Sequence, residues 1–332
     1  MSKKIAINGF GRIGRLTFRN LLKMEGVEIV AINDLTDNAT LAHLLKYDSA
    51  QGPFEGTVSS TSEHLIVNGK NIVCSAIRNP EELPWGAMGV DVVLECTGIF
   101  TDAAKAGAHL KAGAKDVIIS APAKGSGVQT IVLGVNDHEL SNDQHIFSNA
   151  SCTTNCLAPL AKLIQENFNI VVGSMTTTHA YTSDQNLQDS PHKDLRRARA
   201  AAYNIVPTST GAASATGEVV ANISGKLSAI AVRVPVITGS MVELNVVVEK
   251  NTTKEEVNKI FKAAAEGPMK GILEYSEDPL VSGDIIRNQH SSVFDSLMTE
   301  VNGNFVKVVS WYDNEAGYSA RLADLTMRVL NR

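Results

Sequence analysis

The chain has few of the residues that would indicate an extracellular, metal-binding or membrane-bound protein. Only four of its 332 residues are cysteines, and their spacing fits neither a disulfide scaffold nor paired C-x-x-C zinc ligands. The chain has no H-E-x-x-H sequence, so we expect no metal site. No apolar stretch approaches the roughly 18 residues of a membrane-spanning helix, and the first residues lack the apolar region of a signal peptide. These absences predict a cytoplasmic protein that does not bind membranes.

Charge of one sign is not in excess either. The chain has 30 lysines and arginines against 35 aspartates and glutamates, which gives a formal net charge of -5. Because nucleic-acid-binding domains usually present a clustered basic face, we expect no nucleic-acid partner. With 44% hydrophobic and 20% charged residues, the composition is that of a globular protein. A chain of this length usually forms two domains.

Short apolar runs alternate with helical patterns in the first half of the chain. Residues 4–8 and 27–33 are predicted to be buried strands on either side of a helix over 16–24. Strands of this kind, separated by helices, are typical of a parallel sheet that is covered on both faces. Asn68 and Gly69 lie between two further apolar runs and predict a β-hairpin. We also predict strands over 90–96, 117–120, 131–135 and 145–148, and a helix over 102–112.

Longer, alternating strands appear after residue 152. The polar, arginine-rich stretch 181–204 is too long for an idle connection and is predicted to be a functional loop. Thr253 and Glu256 fit a capping box at a helix start. The remaining patterns predict helices over 152–168, 211–222, 253–265 and 315–330, and strands over 170–179, 227–234, 241–250, 291–295 and 305–312. Such strands favour an antiparallel or mixed sheet.

Three glycines, Gly9, Gly11 and Gly14, form a G-x-G-x-x-G motif between the first strand and the first helix. This arrangement permits a tight turn and lets the helix N-terminus face a pyrophosphate. Asp34 ends the next strand, where a carboxylate can bind both ribose hydroxyls and repel a 2′-phosphate, so NAD is preferred over NADP. The alternative is a glycine turn in another α/β fold, with Asp34 as a helix cap.

The strand and helix patterns before and after residue 152 together predict an α/β fold class with two domains. A Rossmann-type dinucleotide-binding domain is expected over residues 1–151. An α+β catalytic domain with a mixed, largely antiparallel sheet is expected over 152–314.

Cys152 lies at a predicted junction between a strand and a helix. A thiol at a helix N-terminus is expected to have a lowered pKa, which favours the thiolate. His179 ends the next predicted strand, and a Cys–His pair would give an activated nucleophile with a proton acceptor. The alternative, a buried structural cysteine and an unrelated histidine, stays open because spacing does not show spatial adjacency. Cys156, one helical turn later, is predicted to be a core residue.

Arginines and hydroxyl residues that converge can bind phosphate through charge-assisted hydrogen bonds. Arg233 falls in an otherwise apolar strand, where a charge needs a partner or a ligand. For most of the arginines over 196–199 a solvated surface is the competing interpretation. The other candidates are Thr182, Arg196, Arg197, Arg199, Thr208, Ser209 and Thr210.

Ordered motifs along the whole chain resemble those of the glyceraldehyde-3-phosphate dehydrogenase family. The most specific is ASCTTNCLAP at 150–159, which is similar to the active-site signature of the family. The supporting motifs are NGFGRIGR at 8–15, AIND at 31–34, HKDLRRARAAA at 192–202, PTSTGAA at 207–213 and SWYDNEAGYS at 310–319.

The resemblance implies that D-glyceraldehyde 3-phosphate is converted to 1,3-bisphosphoglycerate with reduction of NAD. Cys152 would attack the aldehyde to give a hemithioacetal. His179 would hold the thiolate as an ion pair and accept a proton as the hydride leaves for the nicotinamide. The Cys152 amide and His179 would stabilise the oxyanion. Inorganic phosphate would then attack the resulting thioester.

The resemblance also implies two anion sites, a cofactor site and a homotetramer. Thr182 and Arg233 would hold the substrate phosphate. The attacking phosphate would be surrounded by Ser151, Thr153, Thr210, Gly211 and Arg197. NAD would be held by Gly9, Gly11, Arg12, Ile13, Gly14, Asp34, Arg78, Ser120, Asn314 and Tyr318. The loop from Tyr181 would lie near the cofactor of a neighbouring subunit, and a C-terminal helix over 315–332 would return to the NAD-binding domain.

Two departures from the family pattern concern the cofactor. Arg78 lacks the acidic pair that often flanks the adenine-side arginine. Ser190 stands before Pro191 where strictly NAD-dependent bacterial members have leucine, which could relax the exclusion of NADP. Two alternatives remain: an erythrose-4-phosphate dehydrogenase, which would release an acid without phosphate, and a non-catalytic NAD-binding or adhesion protein on this fold.

Overall fold

The computed structural model describes residues 2–332, so Met1, the first residue of the predicted dinucleotide-binding domain, lies outside the described residues. The described chain divides into two compact units. Unit 1 comprises the described residues up to Ile131, together with His138–Ala150 and Ser319–Arg332. Unit 2 comprises Val132–Asp137 and Ser151–Tyr318. Each unit has its own sheet.

The described residues of unit 1 form a nine-stranded sheet. Its elements are β1 (Lys3–Asn8), α1 (Arg12–Leu21), β2 (Val27–Asn33), α2 (Asn38–Lys46), β3 (Val58–Ser60), β4 (His64–Val67), β5 (Lys70–Ser75), a 3-10 turn (Pro80–Glu82), α3 (Trp85–Met88), β6 (Val92–Glu95), α4 (Ala103–Ala106), α5 (Ala108–Lys111), β7 (Asp116–Ile119), β8 (Gln129–Thr130) and β9 (Ile146–Ser148). The strand order is β3-β4-β5-β2-β1-β6-β7-β9-β8.

The centre of this sheet is parallel and covered on both faces. Strand β1 pairs in parallel with β2 and with β6, and β6 pairs in parallel with β7. Consecutive residues of these strands are fully buried, which explains why their sequences are continuously apolar: Ile5, Ala6, Ile7, Val92, Val93, Leu94, Val117, Ile118 and Ile119. The predicted hairpin is also confirmed, since β4 and β5 are antiparallel and both turn residues have positive φ, 49° at Asn68 and 77° at Gly69.

Two predicted elements of the first half are wrong. The expected strand over 131–135 is instead a turn, in which the Asn136 Oδ1 accepts from the Val132 amide at 2.8 Å and the Asp137 Oδ1 accepts from the Gly134 amide at 2.9 Å. These side chains offer the backbone local partners in place of a neighbouring strand. The expected single helix over 102–112 is two short helices, α4 and α5, separated at Gly107.

The described residues of unit 2 form an eight-stranded sheet with helices packed against it. Its elements are α6 (Cys152–Phe168), β10 (Ile170–Ala180), β11 (Val206–Thr208), α7 (Ala212–Val219), β12 (Leu227–Val234), β13 (Ser240–Val248), α8 (Lys254–Glu266), β14 (Leu273–Ser276), β15 (Ser292–Asp295), β16 (Glu300–Asn302) and β17 (Phe305–Tyr312). Two 3-10 turns lie at Ser282–Ile285 and Ser296–Met298, and a third, at Asp137–Glu139, has residues in both units. The last helix of the chain is α9 (Ala316–Leu330).

Both parallel and antiparallel pairs occur in the second sheet. The order is β11-β12-β10-β13-β17-β15-β14, with β16 beside β17. The pairs β10–β12 and β14–β15 are parallel, and the other pairs are antiparallel. This confirms the prediction of a mixed, largely antiparallel sheet. The parallel register places His179 opposite Arg233, which brings two candidate residues side by side.

The C-terminal residues pack within unit 1. The Arg332 guanidinium donates to the carbonyls of Ser141 at 3.0 Å and Gln144 at 2.6 Å, and lies 4.7 Å from the centre of the Phe147 ring. No helix within residues 2–332 is long and apolar enough to cross a membrane. The same residues contain no group of three or more His, Cys, Asp or Glu side chains that could hold a metal ion.

Candidate active site

Cys152 is the first residue of α6, and Ser151 caps that helix. The Ser151 Oγ accepts a hydrogen bond from the Thr154 amide at 3.0 Å. This bond satisfies one of the amides at the helix start that have no partner within the helix. The Ser151 backbone is extended, so the helix begins at Cys152. The Cys152 thiol therefore lies in the positive end of the helix dipole.

His179, the next-to-last residue of β10, lies beside this thiol. The Cys152 Sγ and the His179 Nε2 are 3.4 Å apart, although 27 residues separate them in the sequence. The imidazole is 3% exposed, whereas the Cys152 side chain is only partly buried. The structure brings together the two residues whose adjacency the sequence left open, and the unrelated-histidine alternative does not hold.

The hydrogen bonds of His179 assign its tautomer. Its Nδ1 lies 2.7 Å from the Ala180 carbonyl oxygen, which can only accept. The Arg233 NH1 also lies 3.0 Å from Nδ1, but its two hydrogens have acceptors in the Ala180 carbonyl and the Thr182 Oγ1. Nδ1 therefore carries the proton in the neutral ring, and Nε2 keeps a lone pair that faces the Cys152 thiol. The ring is oriented to take a proton from the sulfur.

Arg233 projects from β12 into the same cluster. Its NH1 atom donates to the Ala180 carbonyl at 3.1 Å and to the Thr182 Oγ1 at 3.0 Å, and lies 3.0 Å from the His179 Nδ1. The buried Arg233 Nε has no hydrogen-bond partner within residues 2–332. The guanidinium places a positive charge near Cys152, as an anion-binding residue needs.

The electrostatics of the pair differ from the expectation based on the helix end alone. Burial raises the pKa of the Cys152 thiol, although Arg233 and Thr153 oppose the shift. Burial and the Arg233 charge lower the pKa of His179 to about 3. The predicted lowering of the thiol pKa is therefore wrong for Cys152 taken alone, because the loss of hydration outweighs the groups that favour the thiolate. Proton transfer from Sγ to Nε2 creates both charges together, and each then stabilises the other.

Tyr312 supports both members of the pair, and sequence reasoning did not identify it. Its hydroxyl is 2.9 Å from the Thr153 Oγ1 and 2.8 Å from the Thr177 Oγ1. Its ring contacts the His179 ring edge to face, with centroids 5.8 Å apart. Tyr312 ends an alternating strand, where a core residue is the ordinary interpretation, and only the tertiary contacts show that it connects α6 to β10.

A second charged cluster surrounds Arg197. Its Nε donates to the Thr208 Oγ1 at 3.0 Å, and its NH1 forms an ion pair with Asp184. The Thr182 hydroxyl also donates to Asp184. Burial by itself would raise the Asp184 pKa, but Thr182 together with the Arg233 and Arg197 charges holds that pKa below its ordinary value. Asp184 connects the Thr182–Arg233 group to the Arg197 group, a role that the sequence did not predict.

The remaining candidate phosphate residues lie at two helix starts. Thr210 and Gly211 directly precede α7, and the Thr210 Oγ1 accepts from the Ala212 amide at 3.2 Å. Ser151 and Thr153 lie at the start of α6, against which α7 packs. Helix N-termini present free amides to anions, so the structure supports the chemistry expected of these residues.

Asn314 is held in a fixed orientation. Its Oδ1 accepts from the Ser240 Oγ at 2.9 Å and lies 3.2 Å from the Thr238 Oγ1. The Ser240 Oγ in turn accepts from the Ala180 amide at 3.1 Å, so its own hydrogen points to Asn314. Ser240 therefore connects the strand end that carries His179 to Asn314. Tyr318, in the first turn of α9, is 5% exposed.

The glycines of the G-x-G-x-x-G motif in unit 1 fit a bound dinucleotide. Gly9 has φ 93°, and a Cβ there would lie 2.7 Å from the backbone nitrogen of Thr97. A Cβ on Gly14 would lie 2.2 Å from the Gly9 carbonyl oxygen, so helix α1 packs closely on the turn. Among the described residues, no heavy atom lies within 4 Å of a Cβ placed on Gly11, whose backbone is accessible. These are the three requirements of a pyrophosphate-binding turn.

Asp34 follows β2 and faces this turn. Its Oδ2 accepts from the Phe10 amide at 2.7 Å, and its Oδ1 accepts from the Thr36 amide at 2.9 Å. Helix α2 is capped by Asp37, not by Asp34, so the helix-cap alternative is wrong. The Arg12 side chain forms an ion pair with Asp48 at 2.6 Å, which leaves the backbone of this residue as the group that can face a phosphate.

Two other expected cofactor residues lie in loops of unit 1. Arg78 is exposed in the segment after β5, and Ser120 follows β7 directly, with its amide donating to the Glu95 carbonyl at 2.9 Å. Both follow carboxyl ends of strands, the edge at which open α/β sheets bind ligands.

Comparison with known proteins accounts for both units. Residues 3–103 match the family model described as glyceraldehyde 3-phosphate dehydrogenase, NAD binding domain, and residues 151–314 match the one described as its C-terminal domain. The glyceraldehyde-3-phosphate dehydrogenase of Mycobacterium avium is 58% identical over 336 residues, which cover 99% of each chain. The enzyme of that name from Geobacillus stearothermophilus is 56% identical over 334 residues, which cover 100% of this chain and 99% of the relative. The chain therefore belongs to the glyceraldehyde-3-phosphate dehydrogenase family.

Proposed function

We propose that this chain is an NAD-dependent, phosphorylating dehydrogenase that converts D-glyceraldehyde 3-phosphate to 1,3-bisphosphoglycerate. The observation that carries the proposal is the 3.4 Å contact between the Cys152 thiol and the His179 imidazole at the start of α6. A nucleophile beside a neutral base, with Arg233 next to both, fits covalent aldehyde chemistry.

Cys152 and His179 divide the chemistry between them. The thiol proton moves to the His179 Nε2 as sulfur attacks the aldehyde carbon, which forms a C–S bond and an oxyanion. The Cys152 amide and the protonated His179 stabilise that oxyanion and give the hemithioacetal. His179 then takes the hydroxyl proton as the carbon loses a hydride, and a thioester remains on Cys152. Bound NAD supplies the hydride acceptor, which no side chain provides.

Phosphate closes the cycle by attacking the thioester carbon. The C–S bond breaks, and the sulfur leaves as a thiolate that protonated His179 stabilises. We assign the substrate phosphate to Thr182 and Arg233, whose side chains are 3.0 Å apart. The attacking phosphate is assigned to the residues at the two helix starts and to the nearby arginine: Ser151, Thr153, Thr210, Gly211 and Arg197.

The cofactor proposal follows from the glycine turn and Asp34. Unit 1 is assigned as the NAD-binding domain and unit 2 as the catalytic domain. In unit 1 the NAD-binding residues are Gly9, Gly11, Arg12, Ile13, Gly14, Asp34, Arg78 and Ser120. In unit 2 Asn314, whose amide orientation is fixed by Ser240, would bind the carboxamide, with Tyr318 nearby.

We also infer a homotetramer in the cytoplasm. Large apolar side chains of the arginine-rich loop and the residues after it are exposed in the single chain, which supports burial against another subunit: Leu187 at 77%, Leu195 at 80%, Tyr203 at 87% and Ile205 at 70%. All four cysteines are free, which fits a reducing compartment.

Phosphate dependence tests the proposed reaction. With glyceraldehyde 3-phosphate and NAD, we expect continuous NADH formation only when inorganic phosphate is present. Without phosphate, the thioester should accumulate after a burst of NADH equal to the active-site concentration. Stopped-flow absorbance measures both phases. Rapid, continuous turnover without phosphate would instead mean that water attacks the thioester, as in the erythrose-4-phosphate alternative.

Asp34 is expected to set the preference for NAD over NADP. We predict that Asp34→Asn lowers the ratio of kcat/KM for NAD to kcat/KM for NADP by about tenfold, because the carboxylate no longer repels a 2′-phosphate. Asp37→Asn is the matched control, since an asparagine still caps α2 and the ratio should not change. Comparable efficiency of the wild type with both cofactors would contradict the assignment and would point to Ser190.

A further inference from the structure

A row of polar side chains crosses the carboxyl edge of the parallel sheet in unit 1. The last residue of each of four adjacent strands is polar: Ser75 in β5, Asn33 in β2, Asn8 in β1 and Glu95 in β6. These residues are direct neighbours in the strand register. We call these four residues the polar row. It lies at the edge where open α/β sheets bind ligands, yet the mechanism above uses none of its side chains.

Hydrogen bonds connect the row without interruption. The Ser75 Oγ donates to the Asn33 Oδ1 at 2.8 Å, and the Asn33 Nδ2 donates to the Asn8 Oδ1 at 2.7 Å. The Asn8 Nδ2 then donates to the Glu95 Oε2 at 2.6 Å. Because each amide donates in the same direction along the sheet, the bonds end on the Glu95 carboxylate, which is 1% exposed.

Glu95 is fully occupied as an acceptor. Besides Asn8, its Oε2 accepts from the His109 Nε2 at 3.0 Å. Its Oε1 accepts from the Thr97 amide at 2.8 Å and from the Thr97 hydroxyl. The Trp85 indole, which can only donate, lies 3.0 Å from the His109 Nδ1 and so fixes the tautomer with hydrogen on Nε2. Four neutral donors on a buried carboxylate form a satisfied network, which rigidifies its surroundings.

The row supports the backbone of the proposed cofactor site. Asn8 directly precedes Gly9, and Asn33 directly precedes Asp34. The Gly9 amide donates to the Asn33 carbonyl at 2.8 Å. A Cβ on Gly9 would lie 2.7 Å from the same Thr97 nitrogen that donates to Glu95, so the glycine turn packs on a peptide that Glu95 holds.

We propose that Glu95 is a positioning residue for NAD binding. Its carboxylate fixes the spacing of the ends of β1, β2 and β6, and thereby the glycine turn and Asp34, before the cofactor arrives. A small shift of these strand ends changes both the pyrophosphate turn and the ribose carboxylate, so both halves of the adenosine diphosphate portion are affected. This inference rests on the proposed NAD-binding function.

Glu95→Gln tests the proposal, because it keeps the shape but turns one acceptor oxygen into a donor that meets other donors. We expect the dissociation constant for NAD, measured by calorimetry on the full chain without substrate, to rise about tenfold or more. Adenosine diphosphate ribose should lose affinity by a similar factor. The matched control is Ile118→Val, a fully buried change in β7 of the same sheet. It should lower the melting temperature and leave the dissociation constant within about twofold.

A reciprocal exchange separates positioning from general destabilisation. In the Asn8→Asp, Glu95→Gln double variant, the glutamine amide can donate to the new carboxylate at position 8. That carboxylate can also accept from Asn33 and from His109, since the His109 Nε2 lies 3.5 Å from the Asn8 Nδ2 in the wild type. We expect the double variant to bind NAD within about threefold of the wild type, and each single variant to bind at least about tenfold more weakly. If Glu95→Gln does not fold, Thr97→Val, which removes one donor to Glu95, should still weaken NAD binding by about threefold.

The possible outcomes are distinct. Glu95→Gln that binds NAD as the wild type does would overturn the positioning role, and so would an Ile118→Val variant that loses as much affinity. Failure of the double variant to recover affinity would attribute the loss in Glu95→Gln to general destabilisation and would also overturn the positioning role. A wild-type chain that binds no NAD would overturn the proposed function itself, which is a different result.

Discussion

Replacement of Cys152 by serine is expected to reduce NADH formation from glyceraldehyde 3-phosphate by about 10⁴-fold. A serine hydroxyl at the same place stays protonated through the neutral range, and it is a far weaker nucleophile than a thiolate. Burial disfavours its charge as it disfavours that of the thiol. The loss should appear in kcat, because the variant keeps the residues proposed to bind NAD and phosphate, including Asp34, Arg197 and Arg233. Stopped-flow absorbance should show no burst of NADH.

Cys156→Ser is the control for this experiment. Cys156 lies one turn further along α6, is fully buried, and has its sulfur 3.5 Å from the Ser292 hydroxyl and 3.9 Å from the Ser310 carbonyl. A hydroxyl can use the same partners, so we expect activity within about threefold of the wild type. NAD affinity, measured by calorimetry, should be unchanged in both variants. Full activity of Cys152→Ser would exclude the covalent mechanism and would revive the non-catalytic alternative.

Replacement of His179 by asparagine is expected to lower kcat/KM by about 10²- to 10³-fold. The asparagine amide can still donate to the Ala180 carbonyl, but it offers no base at the position of Nε2, 3.4 Å from the sulfur. The pKa of His179 is lowered to about 3, so the wild-type imidazole is unprotonated throughout the neutral range and ready to accept the thiol proton. Without it, the thiolate must form in a buried place with no imidazolium beside it.

The pH dependence of Cys152 alkylation tests this account with a definite sign. Burial raises the thiol pKa, and without His179 no base can take the thiol proton and stabilise the resulting thiolate, so the thiolate fraction at neutral pH falls. At neutral pH, iodoacetamide should therefore modify His179→Asn about tenfold more slowly than the wild type, and its rate should keep rising at pH values where the wild type has levelled off. His138→Asn, at an exposed histidine, should match the wild type. An unchanged alkylation profile in His179→Asn would show that His179 does not control the thiol.

Local patterns were sufficient for most elements. The helix Cys152–Phe168 and the strands Leu227–Val234 and Phe305–Tyr312 have the predicted bounds. Each has a clear period over many residues and is directly preceded by a polar residue. The short helix Asn38–Lys46 and the strand Leu273–Ser276 were not predicted, since segments of this length carry too few periods to stand out. The wrong strand over 131–135 failed because Asn136 and Asp137 form a local turn.

The sequence by itself determined the chemistry that the chain can perform: a glycine turn before a helix, a carboxylate after the second strand, and a cysteine at a helix start. These depend on short-range geometry, in which the spacing of residue types is enough. The tertiary structure decided which groups meet. The parallel pairing of β10 with β12 sets His179 beside Arg233, and the packing of β10 near α6 sets His179 beside Cys152.

Tertiary structure also decided the direction of the Cys152 pKa shift and which residues support the candidate sites. The helix end favours a Cys152 thiolate, but burial opposes it more strongly, and burial is a property of the whole unit. Tyr312, Asp184 and Glu95 read as ordinary core or surface residues in the sequence. The roles of Tyr312 and Glu95 come from hydrogen bonds to residues far along the chain, which become neighbours only when the sheets form. The role of Asp184 comes from an ion pair with Arg197, which the conformation of the loop brings close.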